Sequence, residues 1–147
     1  MNSLTPIVDA SSGGKEPATG RAGWRGTGSV LVVEDDAAVR TLVARALPKF
    51  GFTASTAGNG NEALKQLKAD PASYVLVLLD IKLPGMTPAE VVRRIRLIRA
   101  DLPVIVMTGF DRDKALETLA GTAISGYIHK PFTLNGLASE IRIALGG

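Results

Sequence analysis

The sequence has no cysteine, one tryptophan and one histidine, and aromatic residues make up 5% of it. Without cysteine there are no disulfides and no thiolate metal sites, although the redox compartment stays open. No apolar run exceeds about seven residues, too short to cross a bilayer. The first ten residues have neither a basic start nor an apolar stretch, so no secretory signal is read there. Charge of one sign is also scarce. Seventeen Lys and Arg face fourteen Asp and Glu, a net +3, despite a pI near 9.4. That imbalance is too weak to imply a nucleic-acid partner. What remains is 147 residues, 46% hydrophobic and 21% charged, which suits one domain with its own core.

Residues 1–28 hold six Gly, two Pro and three Ser, and apolar residues there never recur at a helix or strand period. Such a stretch cannot bury enough surface to offset its ordering entropy. It reads as a flexible tail or linker ahead of a domain at 29–147. Trp24, alone among Gly and Arg, reads as a solvated or loosely docked side chain.

From Ser29 onward, β-rich runs alternate with helical stretches. The runs are Val30–Val33, Phe52–Thr56, Tyr74–Leu79, Pro103–Met107 and Gly126–His129. Three of them are almost wholly apolar, as in parallel strands covered by helices on both faces. Between them, Val39, Leu42, Val43, Ala46, Leu47 and Phe50 repeat at helical spacing until Pro48 and Gly51 end or kink the helix. Asn59 with Glu62 forms a plausible capping box. Thr87-Pro88-Ala89-Glu90 supplies N-cap, N1 proline and N3 acid for a helix in which Val91, Ile95 and Ile98 share a face. A polar, weakly amphipathic helix is expected at about 111–120, and a last one from Thr133 that buries Leu134, Leu137, Ile141 and Leu145. Five strands alternating with five helices predict an α/β, doubly wound parallel domain.

In such sheets ligands gather at the carboxyl ends of the strands, beside the switch point. The first strand ends on Glu34, Asp35 and Asp36, the third on Asp80, the fourth on Thr108 and the fifth on Lys130. In the order 2-1-3-4-5 these four strands are neighbours and their end residues converge. Clustered carboxylates repel unless a cation sits among them, and an all-oxygen set suits a hard ion such as Mg2+. Lys130 and Thr108 add positive charge and a hydroxyl donor on the other side of Asp80. That suits an oxyanion at Asp80, whose carboxylate can act as a nucleophile and form an acyl phosphate. Each feature alone has a plain explanation: an acid before a helix is commonly an N-cap, which suffices for Asp36, and Lys-Pro after a strand is commonly a turn. Their joint placement at four strand ends favours a site.

VLVVEDD (30–36), VLLDIKLPGM (77–86), VIVMTGF (104–110) and GYIHKPF (126–132), in this order and spacing, resemble the receiver domain of two-component response regulators over about 29–147. The resemblance implies a (βα)5, flavodoxin-like fold with sheet order 2-1-3-4-5. It implies that Asp80 accepts a phosphoryl group from a histidine of a sensor kinase or phosphotransfer protein. Asp35 and Glu34 would hold Mg2+, Glu34 through water, with Asp80 and the backbone carbonyl of Lys82 as further ligands. Lys130 would bind a phosphoryl oxygen, and Thr108 would couple phosphorylation to a rotation of Tyr127. Lys130-Pro131 resembles the family's cis-peptide. Phosphorylation would shift a two-state equilibrium and reshape the face of the fourth helix, fifth strand and fifth helix, where a downstream protein would dock.

The sequence departs from the family at Thr87-Pro88, where Asp-Gly is common, and the capping pattern makes this a structural swap. Lys82 and Phe110 flank the expected path of hydrolytic water, and Phe110 is expected to shield the acyl phosphate. His129 reads as a partly buried structural residue rather than a phosphoryl carrier. Arg93, Arg94, Arg96 and Arg99 read as a solvated helix face, since no aromatics interleave with them.

A non-enzymatic phosphoacceptor that supports its own phosphorylation and dephosphorylation is therefore the leading reading. The chain ends just after the fifth helix, so no DNA-binding or enzymatic output domain is expected in it. Two contexts fit: a stand-alone cytoplasmic receiver, or the C-terminal receiver of a hybrid histidine kinase, toward which the linker-like lead-in inclines. A pseudo-receiver that only binds partners is disfavoured by the intact Asp35, Asp80, Thr108 and Lys130. A flavin or phosphate-ester protein on the same fold is disfavoured because Glu34-Asp35-Asp36 would repel phosphate.

Overall fold

A computed structural model describes residues 25–109, 112–119 and 121–146. Strands and helices alternate as expected: β1 (Ser29–Val33), α1 (Ala37–Ala46), β2 (Thr53–Ala57), α2 (Gly60–Ala69), β3 (Tyr74–Asp80), α3 (Pro88–Ile98), β4 (Val104–Thr108), α4 (Arg112–Thr118), β5 (Gly126–His129) and α5 (Leu134–Ala144). The five strands are parallel in the order β2-β1-β3-β4-β5. This is the flavodoxin-like doubly wound arrangement, and its switch point lies between β1 and β3.

The apolar strands alternate their side chains between two cores. Leu31, Val33, Val77, Leu79, Val104 and Val106 face one layer, with Ala63, Leu64 and Leu67 of α2, Val91, Val92 and Ile95 of α3, and Ala115 of α4. Val30, Val32, Leu76, Leu78, Ile105, Met107 and Ile128 face the other, with Val43 of α1 and Leu137 and Ile141 of α5. Burial on both sides explains why these runs carry almost no polar residue. Each buried Leu, Ile or Val contributes about 1.5–3 kcal/mol.

The helix ends are set by local chemistry. Asp36 caps α1, its carboxylate accepting from the Ala38 and Val39 N–H groups. The helix stops at Ala46, and Pro48 turns the Leu47–Phe50 segment into a 3-10 turn, closed by Gly51 at φ 98°. Asn59 Oδ1 accepts from Glu62 N at 2.8 Å, but the Glu62 carboxylate reaches past the cap to Gly58 N at 3.0 Å. The capping box is therefore shifted by one residue. Thr87 and Thr133 cap α3 and α5 as expected.

Some expectations need correction. Leu42 lies in the helical stripe of α1 but is 51% exposed, because it sits at the flank of the buried face. Leu134 and Leu145, at the two ends of α5, are half-buried, while Leu137 and Ile141 between them are fully buried. His129 is exposed, not partly buried, since β5 edges the sheet and His129 is its last residue. The arginines of α3 divide. Arg93 and Arg94 are exposed and pair with Glu90. Arg96 instead donates to the Leu102 and Ala123 carbonyls, and Arg99 to those of Pro71 and Tyr74, so these two tie loops together. Trp24 and Phe110 lie outside the described residues. Gly26 and Gly28, within the expected linker, are hydrogen-bonded to Phe50 and Thr53.

Candidate functional site: an acid cluster and a lysine at the switch point

The two central strands deliver the acids. β1 pairs with both β2 and β3, and its last residue Val33 lies opposite Ala57 and Leu79. The next residue on each side is Glu34 and Asp80. Glu34 is fully buried, and Asp80 is 3% exposed. Asp35 is exposed and opens the cluster to solvent. Oxygens of Glu34, Asp35 and Asp80 all lie within 4.8 Å of one another. Asp36, one residue on, is occupied as the cap of α1, in keeping with its sequence position.

β4 and β5 bring the other partners. Met107 pairs with Asp80, and Thr108 with His129. Thr108 is 2% exposed, and its carbonyl accepts the Lys130 N–H at 2.7 Å. The Lys130–Pro131 bond is cis. Lys130 Nζ lies 2.8 Å from Glu34 Oε1 and 3.4 Å from Asp80 Oδ2. The other Asp80 oxygen, Oδ1, accepts the Lys82 N–H at 3.1 Å. Tyr127 is half-buried against the α2–α3–α4 layer and lines a hollow with Leu119 and Thr122–Gly126.

The electrostatics arise from this crowding. Burial pushes the Glu34 carboxyl up to about 7, helped by its contact with Asp80, and the Lys130 hydrogen bond and Asp36 N–H do not cancel it. Burial alone would lower the Lys130 ammonium. The hydrogen bond to Glu34 and the charge of Asp80 outweigh it and hold the group above the usual lysine range. One ammonium thus serves two buried carboxylates, and a third carboxylate stands at the rim. A hard divalent cation fits this donor set: carboxylate oxygens clustered on one side, solvent access through Asp35, and no sulfur or imidazole among them.

Sequence alone places Lys130 toward a phosphoryl group and gives no sign of its close bond to Glu34. It also does not single out Arg40, which donates to the Glu34 carbonyl at 2.9 Å. A cation near the start of a helix, against the helix dipole, is the signal that could have drawn attention to it.

The sheet order and the placement of the acids at the switch point define a flavodoxin-like domain with its polar cluster at the strand ends. Residues 30–142 match the family described as the response regulator receiver domain, and the chain belongs to that family. It is 36% identical over 118 residues to response regulator MprA of Mycobacterium ulcerans (79% of this chain, 49% of that protein). It is 32% identical over 117 residues to sensor kinase CckA of Brucella abortus (80% of this chain, 12% of that protein). The chain spans about half the length of the response regulators it matches. The structure of chemotaxis protein CheY4 of Vibrio cholerae superposes with a TM-score of 0.74 at 24% identity, covering 82% of this chain and all of that one. At that identity the likeness speaks for the fold. No helix among the described residues is long and apolar enough to cross a membrane.

Proposed function

We propose that this receiver domain accepts a phosphoryl group on Asp80 from a phosphohistidine of a sensor kinase or phosphotransfer protein. The carrying observation is the setting of Asp80: a nearly buried carboxylate between an acid pair and a lysine. The N–P bond of the donor breaks, an O–P bond forms on Asp80, and the imidazole leaves to be protonated from solvent. Glu34, Asp35 and Asp80, with the Lys82 carbonyl, would hold Mg2+, which supplies neutralisation of charge on the transferring group. Lys130 is positioned to leave Glu34 for a phosphoryl oxygen, and Thr108 to donate to another. The domain is not an enzyme acting on an external substrate; it supports the formation and loss of its own acyl phosphate.

Tyr127, beside its hollow, is the residue whose rotation would report phosphorylation to the α4–β5–α5 face, where a downstream protein docks. A cytoplasmic setting is implied by the donor. The resemblance to both MprA and CckA leaves two contexts, a response regulator and the receiver of a hybrid kinase. In the second, residues 1–28 serve as the lead-in from a preceding domain.

The test is incubation with Mg2+ and a small acyl phosphate, and then intact-mass measurement beside Asp80→Asn and a known active receiver. A Mg2+-dependent gain of one phosphoryl group, absent in the variant, is the expected result. A gain that persists in Asp80→Asn would overturn the assignment of the acceptor.

A further inference from the structure

Arg40 stands outside the cluster of acids and lysine, yet its side chain is built into their frame. It is the fourth residue of α1 and is half-buried. Helical side chains lean toward the N-terminus, which carries this guanidinium back over the β1–α1 loop. That placement sets a cation against the positive end of the helix dipole. A residue that breaks a local rule in this way marks a compensating role.

The contacts show what compensates. Arg40 Nη1 donates to the Glu34 carbonyl at 2.9 Å and lies 3.5 Å from the Asp35 carbonyl. The Glu34 N–H donates to the Ala57 carbonyl at 3.0 Å. The backbone of Glu34 is therefore gripped from both sides, by β2 and by α1. The neighbouring Gly58 N–H is held in turn by the Glu62 carboxylate at 3.0 Å.

We propose that Arg40 is a positioning residue for the divalent-cation site, holding the peptide groups of Glu34 and Asp35 so that their carboxylates stay close to Asp80. This rests on the reading of the cluster as a Mg2+ site. It makes a prediction opposite in sign to simple electrostatics. Removing a cation beside a cation site should strengthen Mg2+ binding if charge alone matters. Removing the grip should weaken it, as loss of outer-shell partners does.

The experiment is calorimetric titration of the full chain with MgCl2, for wild type, Arg40→Met and Arg40→Lys, with thermal melts in chelator to confirm folding. Arg40→Met is expected to bind Mg2+ about tenfold more weakly. Arg40→Lys, whose single ammonium can reach one carbonyl, is expected to recover part of that loss. Amide hydrogen exchange should rise at Asp35 and Asp36 in Arg40→Met and not in α5. Affinity in Arg40→Met equal to or tighter than wild type overturns the proposal while leaving the Mg2+ site intact. Should Arg40→Met not fold, Arg40→Lys decides: it keeps the charge, so affinity equal to wild type overturns the proposal and weaker affinity supports it. Wild type that binds no Mg2+ overturns both the site reading and this proposal.

Discussion

Asp80→Asn should cost the metal-free domain less stability at alkaline pH than at acid pH. The perturbation removes one charge from a cluster of three carboxylates and one ammonium. At pH 8.5 Glu34, with its pKa raised to about 7, is ionised. Its oxygens and those of Asp35 and Asp80 lie within 4.8 Å of one another. At an effective dielectric of about 20, two such charges repel by about 3.5 kcal/mol. The Asp35 contribution is smaller because that residue is exposed. Against this stands the Lys130–Asp80 attraction at 3.4 Å, worth about 5 kcal/mol on the same scale before screening of the partly exposed ammonium. Lys130 keeps Glu34 at 2.8 Å when Asp80 is neutralised. The relieved repulsion and the lost attraction nearly cancel, so the variant should stay within about 1–2 kcal/mol of wild type. At pH 5.5 Glu34 is largely protonated, its repulsion of Asp80 is gone, and the lost attraction to Lys130 dominates.

The same titration gives the wild type its own pH dependence. The folded pKa of Glu34 is raised, so its contribution is fully present below the unfolded value of 4.5 and is lost as pH rises through about 7. The loss is about 3 kcal/mol between pH 4.5 and 8, in the absence of metal. Urea denaturation in chelator at pH 5.5, 7 and 8.5 measures both effects. Saturating Mg2+ should put the wild type clearly ahead at pH 8.5, since a ligand at a hundred times its Kd adds about 2.7 kcal/mol to it. A cost of Asp80→Asn in chelator that is as large at pH 8.5 as at pH 5.5 would refute the charge argument.

Substitutions at four other residues carry further expected outcomes. Arg99→Ala should cost about 1–2 kcal/mol in urea denaturation, because the Pro71 and Tyr74 carbonyls lose their donor, whereas Arg93→Ala should stay within about 0.5 kcal/mol. Gly51→Ala should lower thermal stability by more than about 1 kcal/mol, because φ is 98° and the new Cβ would meet the Gly26 carbonyl at 2.3 Å. Asn59→Ala should cost about 1 kcal/mol by removing the cap of α2, and restoration by Asn59→Asp would show that the side-chain acceptor is responsible.

Element order and strand identity can be read from the sequence because the three central strands are apolar on both faces and the helices on one, whereas the sheet order is implied only by the resemblance to receiver domains. Those periodicities survive in one dimension. Where sequence misleads, the missing information is three-dimensional. Leu42 obeys the spacing of its neighbours yet sits at the flank of the buried stripe. His129 belongs to a strand, but the strand is an edge and the residue its last. Arg96 and Arg99 look no different in sequence from Arg93 and Arg94. Only the arrival of the 71–74 and 121–123 segments beside α3 gives them carbonyls to bind.

The site is legible for a different reason, which bears on what it costs. Among the described residues, the buried polar or charged side chains are Glu34, Asp80 and Thr108, and all three sit at strand ends on one edge of the sheet. Burying a carboxylate is unfavourable unless it is paired and hydrogen-bonded, and a domain selected for stability alone would place valine or leucine there. Each instead interrupts an apolar run, which is why the interruptions stand out in the sequence. Burial, with only one ammonium for two buried acids, leaves the Glu34 carboxyl displaced to about 7. A further positive charge is what the cluster lacks, and binding a cation there would relieve the repulsion the fold maintains. Arg40 does not fill that need, since its guanidinium is committed to backbone carbonyls. It keeps the acids in place, and the charge must come from the ligand.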